Sequence, residues 1–318
     1  MARRLLLLLG VLGALASGCT GDSGSPPPGT TAIPTPGLPI TYTGADGVTS
    51  TITDAGRIVT LSGEFTEIVF ALGLGPNVVA VDLSSVYPDE ALGLPKVGVE
   101  FRLLAEPIIA QEPTVVIGDE DAVPKDAIEQ VRAAGIPVVI FPALTTIDAP
   151  VEKIRQVAHV LGIEEAGEAL AARVRAEIDD ALALAAAAPS RPRAAFVYIA
   201  SAETVLIFGE DTVGGAMLAA AGAYNVAADA GISGWMPLTP EVLAAGEPEV
   251  LVTASRGVAT VGGLDAFLAL PGVAETPAAR ERRVLVFEDL YILGLAPRTG
   301  QALRELVLGL HPELAGAP

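Results

Sequence analysis

The sequence is poor in cysteine, histidine and positive charge. Its 318 residues include one Cys, Cys19, and two His, His159 and His311. A lone Cys cannot close an internal disulfide. Two His cannot build a His-rich metal cage, which leaves ligation through other residues open. The 19 Lys and Arg are outnumbered by 38 Asp and Glu, giving a net charge of −19 with no basic cluster. Nucleic acid and anionic membrane surfaces are therefore not expected partners. No stretch after the N-terminus is long and apolar enough to cross a bilayer. G-x-S-x-G, H-E-x-x-H and G-x-x-x-x-G-K are all missing, and with them the common hydrolase, zincin and nucleotide-binding signatures. Gly73-x-Gly75 lacks the third glycine of a dinucleotide fingerprint and reads as a helix end. No Ser-His or Cys-His pair is suggested, so the chain is not expected to be an enzyme.

What is present is apolar mass. Apolar residues make up 51% of the chain, and the mean hydropathy is +0.53. That composition implies a large core in one or two domains and argues against disorder. The first 18 residues read as a secretory signal: Arg3 and Arg4, an apolar run from Leu5, then Ala16, Ser17 and Gly18. Cys19 stands at the cleavage point and reads as a lipidation site. Ala16 stands where a lipobox prefers Leu. Residues 19–39 form a Pro-, Gly-, Ser- and Thr-rich tether that will not pack. A body held outside the bacterial cell membrane by a lipid follows.

From residue 40 the pattern is globular. Asp46-Gly47 between two alternating runs signals a hairpin. Short β-branched runs at 57–61, 78–81, 115–117 and 138–141 alternate with helical segments at 62–72, 105–111 and 127–134, the signature of parallel α/β layers. Residues 149–188 hold two consecutive helices and no strand, with Ile154, Val157, Ala158 and Leu161 at helical spacing. Strands at 195–199, 250–253 and 284–287 and helices at 213–220 and 299–310 complete the chain. The expected fold is α/β, with two Rossmann-like lobes of parallel sheet joined by a long backbone helix. The expected divisions are 40–147 for the N-terminal lobe, 148–190 for the linking helices and 191–318 for the C-terminal lobe. His159 reads as a structural side chain on its helix, and His311 as a solvent-facing residue beyond the last one.

Residues 103–117 (LLAEPIIAQEPTVVI) and 238–252 (LTPEVLAAGEPEVLV) align without a gap. Leu, Glu, Ala, Glu-Pro and a Val-rich strand recur at the same offsets. Any helix-turn-strand unit looks broadly like this, but the matched Glu-Pro and the preceding Glu favour duplication. Two lobes imply a ligand cleft between them.

These residues resemble a known class. RIVTLSGEFTEIVFALGLGPNVVAVD, Tyr87-Pro88, Leu94-Pro95-Lys96-Val97-Gly98 and LLAEPIIAQEPTVVIG are similar to the class III, helical-backbone substrate-binding proteins of ABC importers, over about residues 40–310. The runs 261–265, 271–277 and 294–299 resemble the haem-binding (hemin-uptake) lipoprotein subgroup. The resemblance implies capture of haem as a transported ligand and delivery to an ABC permease with its ATPase, by an expected monomer. It implies that Glu106 and Glu241, one per lobe, meet Arg residues of the permease, although each also suits a helix first turn on dipole grounds alone.

The ligand contacts depart from the subgroup. Its Tyr-x-Arg, a phenolate iron ligand with a stabilising cation, falls here on Val99 and Phe101. Glu100 and Arg102 are adjacent. The remaining candidates are Tyr87, Trp235, Met236, Tyr291 and Arg298, with Met236, Tyr87 or Tyr291 as a possible iron ligand, Trp235 for stacking and Arg298 for a propionate. Packing or loop anchoring explains Trp235, Met236 and Tyr87 equally well. Another large metal complex, a corrinoid or ferric siderophore, remains the alternative ligand. A free-metal binder lacks ligands, and an enzyme on an α/β scaffold lacks a nucleophile-base pair.

Overall fold

The computed structural model describes residues 36–316. The signal peptide, Cys19 and most of the tether lie outside the described residues. The body opens with the hairpin β1 (Ile40–Thr43) and β2 (Thr49–Ile52). Its turn works because Gly47 takes a φ of +78°, which costs glycine little, and because Asp46 accepts from Val48 N. After it come β3 (Ile58–Thr60), α1 (Gly63–Ala71), β4 (Val78–Val81), α2 (Asp89–Leu92), the two-residue strands β5 (Gly98–Val99) and β6 (Arg102–Leu103), α3 (Ala105–Ile109), β7 (Val115–Asp119), α4 (Lys125–Ala133) and β8 (Val138–Phe141). Strands β4, β3, β7 and β8 form, in that order, one parallel sheet. All residues of β3, β7 and β8 are buried, as expected where both faces of a sheet are covered.

Helices α5 (Ala149–Val160) and α6 (Glu164–Ala186) follow without a strand between them. The second lobe contains β9 (Arg193–Ser201), β10 (Thr204–Phe208), α7 (Val213–Ala220), β11 (Tyr224–Asn225), α8 (Val226–Asp229), β12 (Trp235–Pro237), α9 (Pro240–Gly246), β13 (Val250–Ala254), α10 (Ser255–Thr260), α11 (Leu264–Leu268), α12 (Pro277–Arg280), β14 (Val284–Phe287), α13 (Asp289–Leu293) and α14 (Thr299–Leu310). Its sheet runs β12-β10-β9-β13-β14, with β11 also on β9. Here the structure adds to the parallel sheet expected from sequence. Strand β10 folds back from β9 and is antiparallel to both β9 and β12. A tight turn at Ala202-Glu203 makes that return, where a crossover helix would have kept the strands parallel.

The duplication is visible in the backbone. Glu112 and Glu247, matched in the aligned segments, both take a left-handed φ, 47° and 44°. Arg57 immediately precedes β3, and Arg193 opens β9. Arg57 Nε donates to Glu112 O, and Arg193 Nε to Gly246 O, so each satisfies carbonyls at the end of the repeated helix.

One apolar core runs through both lobes. It joins Phe65 and Phe141 of the first lobe to Phe196 and Leu303 of the second through Ile154, Val174 and Ile178 of the backbone helices. Helix α6 buries Leu170, Ala171, Val174, Ile178 and Ala181, a stripe at helical spacing. Helix α14 lies close against it because Gly300 has no side chain: a Cβ there would stand 2.5 Å from that of Glu177. His311 corrects the sequence reading. It is fully buried, and its Nε2 donates to Ala221 O at 3.0 Å, because the chain turns back into the core after α14. His159 is half exposed beside Glu164.

A polar bolt also crosses between the lobes. Glu67 of α1, 2% exposed, accepts from Arg298 Nη2 at 2.9 Å, from Nε at 3.0 Å and from the Arg298 backbone N–H at 2.9 Å. The guanidinium lies 3.6 Å from the Tyr87 ring centroid and 5.0 Å from that of Tyr291. Removing one partner strands the other. Glu67→Ala is expected to lose about 3–5 kcal/mol of stability, read as a lower urea midpoint; an unchanged midpoint would show that the bolt carries no load.

Candidate functional site

In open α/β sheets the loops beyond the carboxyl ends of the strands form the binding crevice. Here two such edges face each other. The first lobe contributes Ser62, Gly63 and Glu64 after β3, and Leu83, Ser84 and Val86 after β4, together with Glu100. The second contributes Tyr198 of β9, Ser255 and Arg256 after β13, and Glu288 to Leu290 after β14, with Leu293 and Gly294. The cleft they enclose measures about 380 Å³, within the range of small-molecule sites.

The two walls differ chemically. On the second lobe, Arg256 Nη2 donates to the Tyr198 hydroxyl at 3.1 Å. Asp289 orients the arginine, accepting from its Nε at 3.2 Å and its backbone N at 3.1 Å. The first-lobe wall is acidic. Lys153 of α5, buried, donates to Glu64 at 2.9 Å. Asp119 lies near enough to both Glu64 and Glu100 for its charge to raise their carboxyls. Burial pushes the Glu64 carboxyl up to about 7, against the pull of Lys153. Burial, then Asp119 and Glu64, push Glu100 far above the usual carboxylate range.

A second groove, of about 730 Å³, lies beside the cleft and is lined by Phe70, Tyr87, Pro88, Arg173 and Arg298 among others. It is larger, but both its arginines are already paired, Arg173 with Glu177 and Arg298 with Glu67. The cleft instead holds buried polar atoms without partners: Ser62 Oγ, Glu64 Oε1 and Glu100 Oε1. Buried polar atoms in folded proteins are normally satisfied, so the cleft is the better candidate.

The Periplasmic binding protein family matches residues 58–290. The chain belongs to that family. The periplasmic heme-binding protein RhuT from Roseiflexus sp. RS-1, in its apo form, is 46% identical, with a TM-score of 0.80 over 82% of this chain and 100% of that one. An uncharacterized ABC transporter substrate-binding lipoprotein of Bacillus subtilis, YvrC, is 27% identical over 87% of each chain. A cobalamin-binding protein of Halobacterium salinarum is 29% identical over 86% of this chain and 74% of its own. Family and relatives are binding proteins, and the two lobes on a helical backbone agree with the fold expected from sequence.

Of the residues singled out from sequence, Glu100 faces the cleft. Arg102 is exposed on the neighbouring strand. Trp235 and Met236, expected in a cleft loop, form the edge strand β12. Trp235 is exposed, and Met236 packs against the second lobe's core. Arg298, expected to meet a ligand carboxylate, meets Glu67, and Tyr87 stacks on it. The Tyr291 hydroxyl donates to Glu305 at 2.9 Å; burial and that carboxylate push its phenol upward, which disfavours a phenolate. Glu106 and Glu241 are both exposed in the first turns of α3 and α9. Tyr198 and Arg256 went unrecognised. Their signal was position: a tyrosine within an otherwise apolar strand, and an arginine just past the end of the neighbouring one.

Gly63 sits against Leu290 of the second lobe. A Cβ there would lie 2.7 Å from Ser84 O and 3.0 Å from both Leu290 methyls. Gly63→Ala is expected to destabilise the fold by about 1–3 kcal/mol through overpacking, seen by chemical denaturation; a neutral result would mean the lobes separate freely.

Proposed function

We propose that this protein captures haem in the interlobe cleft and delivers it to an ABC permease. The observation that carries the reading is the Tyr198–Arg256 pair. A phenolic oxygen is a hard donor suited to ferric iron, and a guanidinium donating to that oxygen fixes its position at the cleft. The subgroup's Tyr-x-Arg positions are Val99 and Phe101 here, so the second lobe supplies the pair from β9 and α10. Leu83, Val86, Leu290 and Leu293 give the cleft the apolar surface that a macrocycle requires. Similarity to a haem-binding structure, at 46% identity, supports the same ligand. The cobalamin-binding relative, at 29%, favours a corrinoid as the second reading.

The remaining parts of the proposal follow from position. Cys19 carries a lipid that holds the protein on the outer face of the cell membrane, and residues 20–39 act as its tether. Glu106 and Glu241 stand at matched sites on the two lobes. They can report the lobe arrangement to a basic permease surface through charge-assisted bonds. Being exposed, they add little static stability.

Adding hemin to the purified protein is expected to give a saturable Soret band at one equivalent. Tyr198→Phe should shift that band and weaken binding by about tenfold or more. Cobalamin binding with no Soret change would replace haem with the second reading. Separately, Glu106→Ala combined with Glu241→Ala should abolish uptake in cells while hemin affinity holds; normal uptake would remove the docking assignment.

A further inference from the structure

Three apolar side chains stand further into solvent than any other large ones among the described residues. They are Phe101, 72% exposed, Trp235, 64%, and Leu104, 62%. Single apolar residues on a surface are ordinary and need no explanation. The placing of these three does need one. Phe101 and Leu104 lie five and two residues before Glu106, and Trp235 lies six residues before Glu241. Six residues of chain reach at most about 22 Å, less than the breadth of a standard interface of about 800 Å² a side. One partner surface can therefore cover each glutamate together with its apolar neighbours.

The duplication sharpens this placing. Carried back from the aligned segments, the match sets Glu100 against Trp235 and Phe101 against Met236. In each lobe one member of the pair turns in and the other turns out. Glu100 lines the cleft, and Phe101, next to it in the turn between β5 and β6, does not. Met236 packs on the second lobe's core, and Trp235, next to it on β12, is exposed. Each lobe thus carries an outward aromatic ring just before the helix that carries its outward glutamate. Strand β6 leads into α3 through Leu104 alone, and β12 leads into α9 through Leu238 and Thr239. Both rings are held on short connections to those helices.

Charge and position narrow what can cover this surface. The ligand does not, because none of the three side chains lines the cleft or the larger groove. A net charge of −19 opposes contact with a second copy of the chain and with anionic headgroups. We propose that Phe101, Leu104 and Trp235 are apolar anchors that seat in pockets of the permease, beside the basic groups that Glu106 and Glu241 meet. This rests on the docking reading of the two glutamates. Two solvated glutamates alone would make a weak, salt-sensitive contact. In protein interfaces a few well-packed anchors, tryptophan prominent among them, carry most of the affinity, and exposed charges mainly steer and orient. Here each lobe has both parts. The glutamates select a basic surface, and the anchors hold the two lobes on it together.

The test supplies cells whose hemin uptake depends on this chain with full-chain variants, and measures hemin affinity on the purified proteins. Cobalamin replaces hemin in both measurements if the wild-type chain transports that instead. Phe101→Ser, Leu104→Ser and Trp235→Ser combined should lower uptake by about tenfold or more, with ligand affinity and the urea midpoint unchanged. Phe101→Leu with Trp235→Phe keeps the apolar contact and should transport close to wild type. Normal uptake by the triple serine variant, where Glu106→Ala with Glu241→Ala abolishes it, overturns the anchors and leaves the docking reading standing. Normal uptake by both variants overturns both. A weaker ligand affinity or a lower urea midpoint in the triple variant also overturns the anchors, because the three side chains then serve the ligand site or the fold.

Discussion

The Glu67–Arg298 pair fixes the spacing on which the rest of the structure depends. The two residues are 231 positions apart, one on the first helix of the first lobe and the other at the entry to the last helix of the second. Three hydrogen bonds join them, and two tyrosine rings cover the guanidinium. A buried pair is only modestly favourable against an apolar equivalent, but it is costly to break, because each partner alone is an uncompensated charge. That asymmetry suits a spacer. The pair adds little to total stability and strongly opposes separation of the lobes at that point. Beneath it the apolar core passes unbroken through α5, α6 and α14, so a wide hinge motion would expose packed side chains on both sides. The cleft is thus a gap of set width between two strand-end surfaces.

The duplicated architecture explains why two such surfaces meet. Each lobe repeats a helix, a left-handed Glu, a Pro and a strand, and each anchors the helix end with an arginine at the start of a core strand. The repeat brings equivalent strand ends to the cleft, but the side chains presented there have diverged. One wall offers a phenol fixed by an arginine. The other offers carboxyl groups desolvated against one another. The lobes therefore differ at the cleft, and the likeness between them supplies the frame and the two exposed glutamates.

Much of this frame was legible in the sequence. Helices α7 and α14 were placed to the residue, since each has an abrupt apolar period with small or capping residues at its ends. The Glu-Pro repeat announced the duplication. Strand β10 was passed over because a two-residue turn leaves no helical segment to mark it. The site was much less legible. Arg298 looked free because its partner lies 231 residues earlier in a helix that reads as ordinary, and pattern cannot show such pairings. His311 followed the last helix and so read as exposed, but the chain end folds back onto Ala221. Tyr198 sits inside a strand, where an aromatic residue usually means packing, and only the sheet's edge reveals that it stands at the cleft.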